Sequence, residues 1–365
     1  MTFDALAALP RRSLFDDFCA AYRAHPEMKI IVFGAGDQGM LTALLLREND
    51  MPPACFADND VARYGTQVKG LPVIAPADIP KMTGEYAVIN NDSYRREKRA
   101  QLLTLGVPAE NIWTFDVFNP LFKDFTRAYV EAHQAEFRCT YDLLDDEASK
   151  KTYVNYLAGV YTANPKYYEE IAVPNDYFPP ELAPRRPNHV FLDVGAYNGN
   201  TIEAFIAFAG DYESIHAFEP FAASAELIAA KNFARTKLHR AAASDVTGQK
   251  TFYCNNYGAL TMITTILEKG AQHEAVTLDT IRIDDALAGG KATFIKMDIE
   301  GSELDALHGA AQTIRANRPF LAICVYHKRD DLIRIVPYIK ELVPDYRMYL
   351  RHHSKTGSDL VLYCC

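Results

Sequence analysis

Two acids and a lysine lie at the end of a strongly apolar run in the last third of the chain. The segment reads TFIKMDIEGSEL, with Lys296 inside the run and Asp298 and Glu300 directly after it. An apolar run of this length predicts a buried strand. Because an unpaired charge inside a protein is costly, these side chains are expected to have partners and a shared role.

A histidine, His327, ends the next predicted strand, FLAICVYH. The carboxyl ends of neighbouring parallel strands meet at one sheet edge, so Asp298, Glu300 and His327 are expected to converge. The near-neutral pKa of histidine predicts His327 as a general base, and the alternative is a surface histidine. Asp298 could instead bond to nearby backbone, and Glu300 could simply favour the N-terminus of the following helix.

A glycine-containing turn, LDVGAYNGN, follows an earlier predicted strand. Its candidate ligand-binding residues are Asp193, Gly195, Ala196, Asn198 and Gly199. Glycine lets backbone approach a ligand closely. The glycines of this turn are not spaced as in GxGxxG, so a dinucleotide is not the expected ligand. The alternative is a turn that only permits tight packing of strand on helix, and both readings stay open.

Acids also end the next two predicted strands. Glu219 follows SIHAF, and a carboxylate at that position can accept two hydrogen bonds from ribose hydroxyls. A solvated strand-end carboxylate is the alternative. The third strand is predicted as KLHRAAAS, so that Ser244 and Asp245 at its end could meet an adenine amine.

Strands and helices alternate twice along the 365 residues. The predicted fold class is α/β, with two Rossmann-like doubly wound domains joined by a helical segment. The final strands, YRMYLRHH and DLVLYCC, are joined by a short turn and must be antiparallel neighbours. A parallel sheet that ends in such a hairpin is typical of class I methyltransferases, although other α/β folds also carry an antiparallel edge. The predicted divisions are an N-terminal helix at 1–27, a small Rossmann-like domain at 28–118, a helical and proline-rich connector at 119–187, and a methyltransferase-type domain at 188–365.

The composition indicates an ordinary soluble protein with a net charge of -9. An acidic balance argues against a nucleic-acid partner, and no apolar run is long enough to span a membrane. The seven cysteines are scattered without metal-type spacing, which favours reduced thiols in the cytoplasm. The start of the chain does not read as a signal peptide. A small-molecule partner is therefore expected, and a homo-oligomer stays open.

The motifs LDVGAYNGN, AFEP, AAASD and IKMDIEGSELDALHGA resemble the FkbM family of S-adenosylmethionine-dependent methyltransferases. The resemblance covers 188–365 and is most specific in KxDIEGxE. It implies methylation of a hydroxyl on a sugar or a related natural product. It also implies that Asp193, Gly195, Gly199 and Glu219 bind the cofactor, with Asp298 beside its sulfonium.

Two further features of this domain are less specific. Asp298, Glu300 and His327 offer oxygen and imidazole ligands, so a divalent metal is a less favoured alternative. Tyr257 and the surrounding loop could cover the acceptor, or could be an ordinary loop.

The N-terminal domain carries a second candidate site. Gly34, Gly36 and Gly39 fit GxGxxG between a predicted strand and helix, and Asp58 ends the next strand. This context is that of a dinucleotide-binding fingerprint, although the glycines could only pack helix on sheet. A nucleotide-sugar or NAD-dependent enzyme centred here is the alternative function, and a non-catalytic scaffold is the third.

Overall fold

The structure, a computed structural model, describes residues 1–119, 125–174, 176–255 and 273–365. The predicted cover at Tyr257 therefore lies outside the described residues. The chain divides into two compact units. The first comprises Met1–Glu131, Val154–Glu170 and Ser354–Gly357, and the second comprises Ala132–Tyr153, Ile171–His353 and Ser358–Cys365. The segment predicted as a connector thus contributes helices to both units.

The first unit contains a six-stranded sheet. Its strands are β1 Lys29–Phe33, β2 Cys55–Ala57, β3 Gln67–Val68, β4 Leu71–Ile74, β5 Tyr86–Ile89 and β6 Ile112–Trp113. Their spatial order is β3-β4-β2-β1-β5-β6, and every pairing except that of β3 with β4 is parallel. The central strand β1 is apolar because helices cover both faces of such a sheet, and Ile31 and Phe33 lie in its buried core.

Helices connect the strands of both sheets. The α-helices of the described residues include Leu14–Ala24, Asp37–Glu48, Arg95–Thr104, Arg127–Ala132, Gln134–Asp142, Glu147–Thr162, Lys166–Glu169, Asn200–Ala209, Ala222–Lys231, Ile283–Leu287, Glu303–Gly309, Ala311–Asn317 and Asp331–Leu342. Short 3₁₀ helices occupy Asp4–Ala8, Val61–Arg63, Pro76–Lys81 and Ala109–Asn111. The first α-helix begins with a reciprocal capping box between Ser13 and Asp16, which satisfies backbone donors that the helix leaves unpaired.

The second unit contains a seven-stranded sheet. Its strands are β7 Val190–Val194, β8 Ser214–Phe218, β9 Thr236–His239, β13 Phe294–Met297, β14 Phe320–Cys324, β15 Met348–His352 and β16 Leu360–Cys364. They lie in the order β15-β16-β14-β13-β7-β8-β9. All five residues of β7 are buried, and Phe191 stacks on Phe205 of the next helix with ring centroids 4.1 Å apart.

The last two strands form the antiparallel hairpin that the sequence predicts. β16 lies between β14 and β15 and is antiparallel to both, whereas the other pairings of this sheet are parallel. This is the arrangement expected of a class I methyltransferase sheet, and the predicted α/β fold class is confirmed.

The predicted third strand is wrong in one respect. KLHRAAAS does not form one strand: β9 ends at His239, and Ala242–Ala243 form β10, which belongs to a separate three-stranded sheet. The other strands of this small sheet are β11 Gly248–Asn255 and β12 His273–Ile281. β10 pairs with β12 in parallel, and β11 pairs with β12 antiparallel. Pairing with β12 therefore draws Ala242 and Ala243 away from the main sheet.

The helical segment after β13, ELDALHGAAQTIRAN, is interrupted at Ala310. Beside the break, a Cβ on Gly309 would lie 1.9 Å from the carbonyl oxygen of Ser244. The glycine thus allows the helix to approach the backbone that follows β10. In the part of the chain that the structure describes, the helices are too short or too polar to cross a lipid bilayer.

Candidate active site

The second unit encloses a cavity of about 640 Å³ at the carboxyl ends of its central strands. Its walls include Asp176, Tyr177, Gly195, Tyr197, Asn200, Thr201, Phe218, Glu219, Pro220, Phe221, Ala223, Ser224, Ala242, Ala243, Phe252, Val276, Leu278, Lys296, Asp298, Ile299, Glu300 and Ser302. Three sequence-predicted strand ends therefore meet in one place: those carrying Gly195, Glu219 and Asp298.

The glycine turn brings its backbone against the end of β13. Gly195 has φ +84°, and a Cβ there would lie 2.0 Å from the carbonyl oxygen of Asp298. Gly199 has φ +81°, and a Cβ there would lie 2.8 Å from the ring of Phe233. Gly195 lines the cavity, whereas the need for glycine at position 199 comes from packing. The packing reading thus applies to both glycines, and ligand binding at Gly195 stays a prediction.

Glu219 joins the glycine turn to the end of β8. Its Oε2 accepts a hydrogen bond from the backbone N–H of Tyr197, and its Oε1 accepts one from that of Phe221, both at 2.9 Å. The carboxylate is buried, and burial raises its pKa. Each oxygen retains acceptor capacity beyond its backbone bond, so Glu219 can still receive donors from a ligand in the cavity.

A buried ion pair lies beneath the turn. Lys296 Nζ is 3.1 Å from Asp193 Oδ1, and it donates a hydrogen bond of 2.8 Å to the carbonyl oxygen of Gly195. Burial lowers the pKa of Lys296, but the carboxylates of Asp193 and Asp298 raise it more, so the net shift is upward. The lysine is therefore a fixed cation that ties β13 to the glycine turn.

Asp298 is the acid that faces the cavity from the end of β13. Its Oδ2 accepts a hydrogen bond of 2.8 Å from the Tyr177 hydroxyl, and its Oδ1 lies 3.4 Å from His327 Nε2. Burial raises the pKa of Asp298, but Lys296 and His327 lower it more. Asp298 is therefore held as a carboxylate.

His327 lies behind Asp298 with carboxylates at both ring nitrogens. Its Nε2 is 3.5 Å from Glu300 Oε2, and its Nδ1 is 2.9 Å from Glu303 Oε1. Burial lowers the pKa of His327, but Glu303, Glu300 and Asp298 raise it to about 10. The imidazole is thus held in its protonated form at neutral pH.

Glu300 reaches the cavity from a left-handed backbone position. Its φ is +56°, and its side chain is 35% exposed, compared with 2% for His327. Burial is the largest cause that raises the pKa of Glu300, to about 7; His327 opposes this rise, and Asp298 and Glu303 add to it. A carboxylate with this pKa exchanges a proton readily near neutrality.

Two family models match separate parts of the chain, and each part contains most of one of the two large sheets. The model described as the methyltransferase FkbM domain matches residues 193–355. The second unit carries an FkbM methyltransferase domain. A model described as C2185-like, N-terminal, matches residues 26–113. The protein is therefore a transferase enzyme with a distinct N-terminal unit.

A solved structure shares this fold. Methyltransferase FkbM from Methylobacillus flagellatus KT has 23% identity and a TM-score of 0.72, over 96% of this chain and 99% of that chain. An rRNA methylase from Streptococcus thermophilus has 13% identity and a TM-score of 0.32, over 49% of this chain and 87% of that chain. Comparison with functionally curated proteins finds no match.

The residues predicted to bind a cofactor fall into two groups by position. Gly195, Glu219 and Asp298 line the cavity. The others act from behind it: Asp193 pairs with Lys296, Ala196 N–H donates to the carbonyl of Phe218, Asn198 Oδ1 accepts from the N–H of Asn200, and Gly199 packs on Phe233.

Ser244 and Asp245 do not lie at the end of the third strand of the main sheet. Ser244 is buried next to β10, and Asp245 forms an ion pair with Lys250. In their place, Ala242 and Ala243 line the cavity together with Phe252, Val276 and Leu278 of the small sheet. The predicted polar contact to an adenine thus becomes an apolar wall.

The sequence-based interpretation missed Glu303 and Tyr177. Glu303 falls on the apolar face of its helix, in line with the buried residues Ala306, Leu307 and Ala310. An acid at a core position of this periodicity is a signal that could have identified it. Tyr177 lies in the proline-rich segment, where no periodicity predicts which way a side chain points.

A metal fits this corner poorly. Oxygen and nitrogen atoms of Asp298, Glu303 and His327 lie within 4.8 Å of one another, so Glu303 takes the place that the sequence assigned to Glu300. However, both imidazole nitrogens face carboxylates at 2.9–3.5 Å, and a histidine ligand must be deprotonated at the coordinating nitrogen. The protonated ring itself supplies the positive charge that these acids need.

The first unit repeats the arrangement around Glu219. Asp58 accepts hydrogen bonds from the N–H of Ala35 in its glycine turn at 2.7 Å and from the N–H of Asp60 at 2.9 Å. Two cations lie at this turn, and each has an acidic partner. Arg63 donates to the carbonyl of Ala35 and pairs with Asp60. Lys98 lies against Gly34 and pairs with Asp92. Gly39 packs on the carbonyl of Gly34, and Gly36 is open. The second nucleotide site stays a prediction.

Proposed function

We propose that this protein transfers a methyl group from S-adenosylmethionine to a hydroxyl group of a sugar or a related polar small molecule. The observation that supports the proposal is the meeting of Gly195, Glu219 and Asp298 around one cavity in an FkbM domain. Each of the three suits the cofactor in a different way. The backbone at Gly195 can approach it closely, Glu219 can accept hydrogen bonds from its ribose, and Asp298 supplies an anion for its cationic sulfur.

The residues that line the cavity can contact the ribose, the adenine and the sulfonium of adenosylmethionine. Glu219 keeps acceptor capacity for ribose hydroxyls, and the apolar side chains of Phe252, Val276 and Leu278 form a surface on which an adenine ring can pack. Asp298 is a carboxylate that can lie beside a sulfonium. When bound, the cofactor supplies an electrophilic methyl group on positively charged sulfur.

The proton of the acceptor hydroxyl needs a base that reaches the cavity. His327 was the sequence-based choice, but its side chain is 2% exposed, and three carboxylates hold it protonated. Glu300 lines the cavity, and its pKa of about 7 leaves a large carboxylate fraction at neutral pH. We assign Glu300 as the group that accepts the proton, with His327 behind it as a fixed cation.

Binding a cation next to Asp298 does not by itself accelerate the reaction, because uniform stabilisation of the bound state leaves the barrier unchanged. The rate must come mainly from alignment of the acceptor oxygen with the methyl group, which is worth up to several kcal/mol. Removal of the proton by a positioned base contributes about 10²–10⁴-fold.

The proposal is tested by methyl transfer from tritiated adenosylmethionine to a panel of neutral mono- and oligosaccharides. We expect the wild-type protein to label at least one sugar and Glu300→Gln to lose at least tenfold in kcat while keeping its affinity for adenosylhomocysteine. Glu226→Gln is the matched control, since Glu226 is an exposed partner of Arg240. Equal kcat values for Glu300→Gln and wild type would refute the assigned base.

A further inference from the structure

We propose that Glu303 is a positioning residue of the active site: it holds the imidazole of His327 so that Nε2 faces the gap between Asp298 and Glu300. This inference rests on the proposed function for its catalytic meaning. The contacts that carry it all lie in the second unit.

A backbone N–H fixes one carboxylate oxygen of Glu303. Its Oε1 accepts a hydrogen bond of 2.9 Å from the N–H of Ile299, in the loop between β13 and the helix that Glu303 begins. The side chain is fully buried, so water cannot replace this contact. Because Ile299 lies between Asp298 and Glu300 in sequence, the same carboxylate also anchors the loop that carries both acids.

The other contact of Glu303 sets the orientation of the histidine. Its Oε1 lies 2.9 Å from His327 Nδ1, while His327 Nε2 lies 3.4 Å from Asp298 Oδ1 and 3.5 Å from Glu300 Oε2. The ring of Tyr326 packs on the imidazole with centroids 4.0 Å apart. With Nδ1 engaged, only Nε2 is presented towards the cavity-lining acids.

A polar chain therefore runs from the cavity into the core. It begins at the Tyr177 hydroxyl, which donates to Asp298, continues through His327, and ends at Glu303. A buried cation needs a buried counter-charge, and Glu303 supplies one without occupying the cavity. Glu300 can then exchange a proton with the acceptor hydroxyl while the charge on His327 stays constant.

The direct test uses the full-length chain with ¹⁵N-labelled histidine, and His327→Gln identifies the signal of His327. In the wild-type protein at pH 8, we expect both ring nitrogens of His327 to be protonated. In Glu303→Gln, we expect the apparent pKa of that signal to fall by at least roughly one unit. Other charged groups around the ring are Asp298, Glu300, Asp331 and Asp359.

Asp331→Asn is the matched control. Asp331 is a buried acid of the same corner, but its Oδ2 accepts a backbone hydrogen bond from Lys328 at 2.7 Å. We expect this variant to shift the His327 signal less than Glu303→Gln does. Glu303→Asp retains the charge and is expected to restore part of the wild-type pKa.

Two outcomes would overturn the positioning role. One is a neutral His327 ring in the wild-type protein at pH 8, an outcome that does not depend on the folding of a Glu303 variant. The other is an unchanged His327 titration in Glu303→Gln. Failure of the proposed function would look different: adenosylhomocysteine would not bind, while the histidine signals could still respond to Glu303 as expected. With a sugar acceptor, Glu303→Gln should lower kcat and flatten its pH profile while leaving the KM for adenosylmethionine within about twofold.

Discussion

The charges at the end of β13 have separate partners. Lys296 pairs with Asp193 beneath the glycine turn, whereas Asp298 pairs with Tyr177 and His327. The sequence indicated that these charges must be paired and that Asp298 and His327 converge, but it could not assign Asp193 or Tyr177, because these two partners come from segments distant in sequence. Glu303 was missed for a different reason: it lies at the start of a helix, and helical periodicity does not show that its side chain anchors the preceding loop.

The charge of Asp298 should matter more for adenosylmethionine than for adenosylhomocysteine, because only the former carries a sulfonium. Asp298→Asn is expected to weaken adenosylmethionine binding by about 1 kcal/mol more than adenosylhomocysteine binding, roughly fivefold. Calorimetry with both ligands measures the ratio. An equal loss for the two ligands would mean that Asp298 does not lie next to the sulfur.

A second residue-scale prediction concerns His239, which stacks on Phe218 with centroids 4.4 Å apart. Burial and His216 lower its pKa from 6.5 to about 4. Between pH 6.5 and pH 4, the unfolded chain therefore binds more protons at His239 than the folded chain does. The free energy of unfolding contributed by the neutral, buried ring is thus lost as pH falls from 6.5 towards 4. Its maximum is roughly 3 kcal/mol.

Denaturant unfolding of wild type and His239→Phe across pH 4–7 measures this contribution. The phenylalanine keeps a ring against Phe218 and removes the titration, so the difference in unfolding free energy between the two proteins should change with pH. A pH-independent difference would contradict the assignment.

At the scale of elements, the structure confirms what turn length and apolar periodicity predict. The terminal hairpin follows from two strands joined by a few residues, and it is found as β15 and β16. The third strand was wrong because an alanine-rich run carries no alternation that separates one strand from two. Only pairing with β12, a long-range contact, decides that Ala242 and Ala243 join the small sheet.

The turn after β7 gives an element-scale prediction. Gly195→Ala adds both a strained φ and a Cβ 2.0 Å from the backbone of Asp298, whereas Gly210→Ala adds only the strain, since φ there is +73° and nothing lies within 4 Å. We expect Gly210→Ala to cost about 1 kcal/mol and Gly195→Ala to cost more than about 3 kcal/mol. Chemical denaturation compares them, and equal costs would contradict the close approach of turn and strand.

At the scale of the whole molecule, each unit has a glycine turn tied to an acid at the end of its second strand, Asp58 in the first and Glu219 in the second. The surrounding charges differ: Arg63 and Lys98 lie at the first turn with their partners Asp60 and Asp92, whereas at the second turn Lys296 is buried against Asp193 and Asp298 faces the cavity. The glycine motifs predicted both turns, but they could not predict which charged side chains lie next to each turn.

This difference predicts that adenosylhomocysteine, which carries no phosphate, binds once per chain. Cations beside a glycine turn favour an anionic ligand, so the first unit should not take it. Titration of the full-length protein measures the stoichiometry, and two equivalents per chain would show that the first unit binds the same nucleoside.

The central claim is that one nucleoside bearing sulfur occupies the cavity between Gly195, Glu219 and Asp298. Calorimetric titration of adenosylhomocysteine into wild type, Glu219→Gln and the surface control Glu226→Gln tests it most directly. Saturable binding is expected for wild type and the control, with affinity at least tenfold weaker in Glu219→Gln because a charged acceptor is lost. Absence of binding to wild type, or equal affinity in all three proteins, would contradict the account.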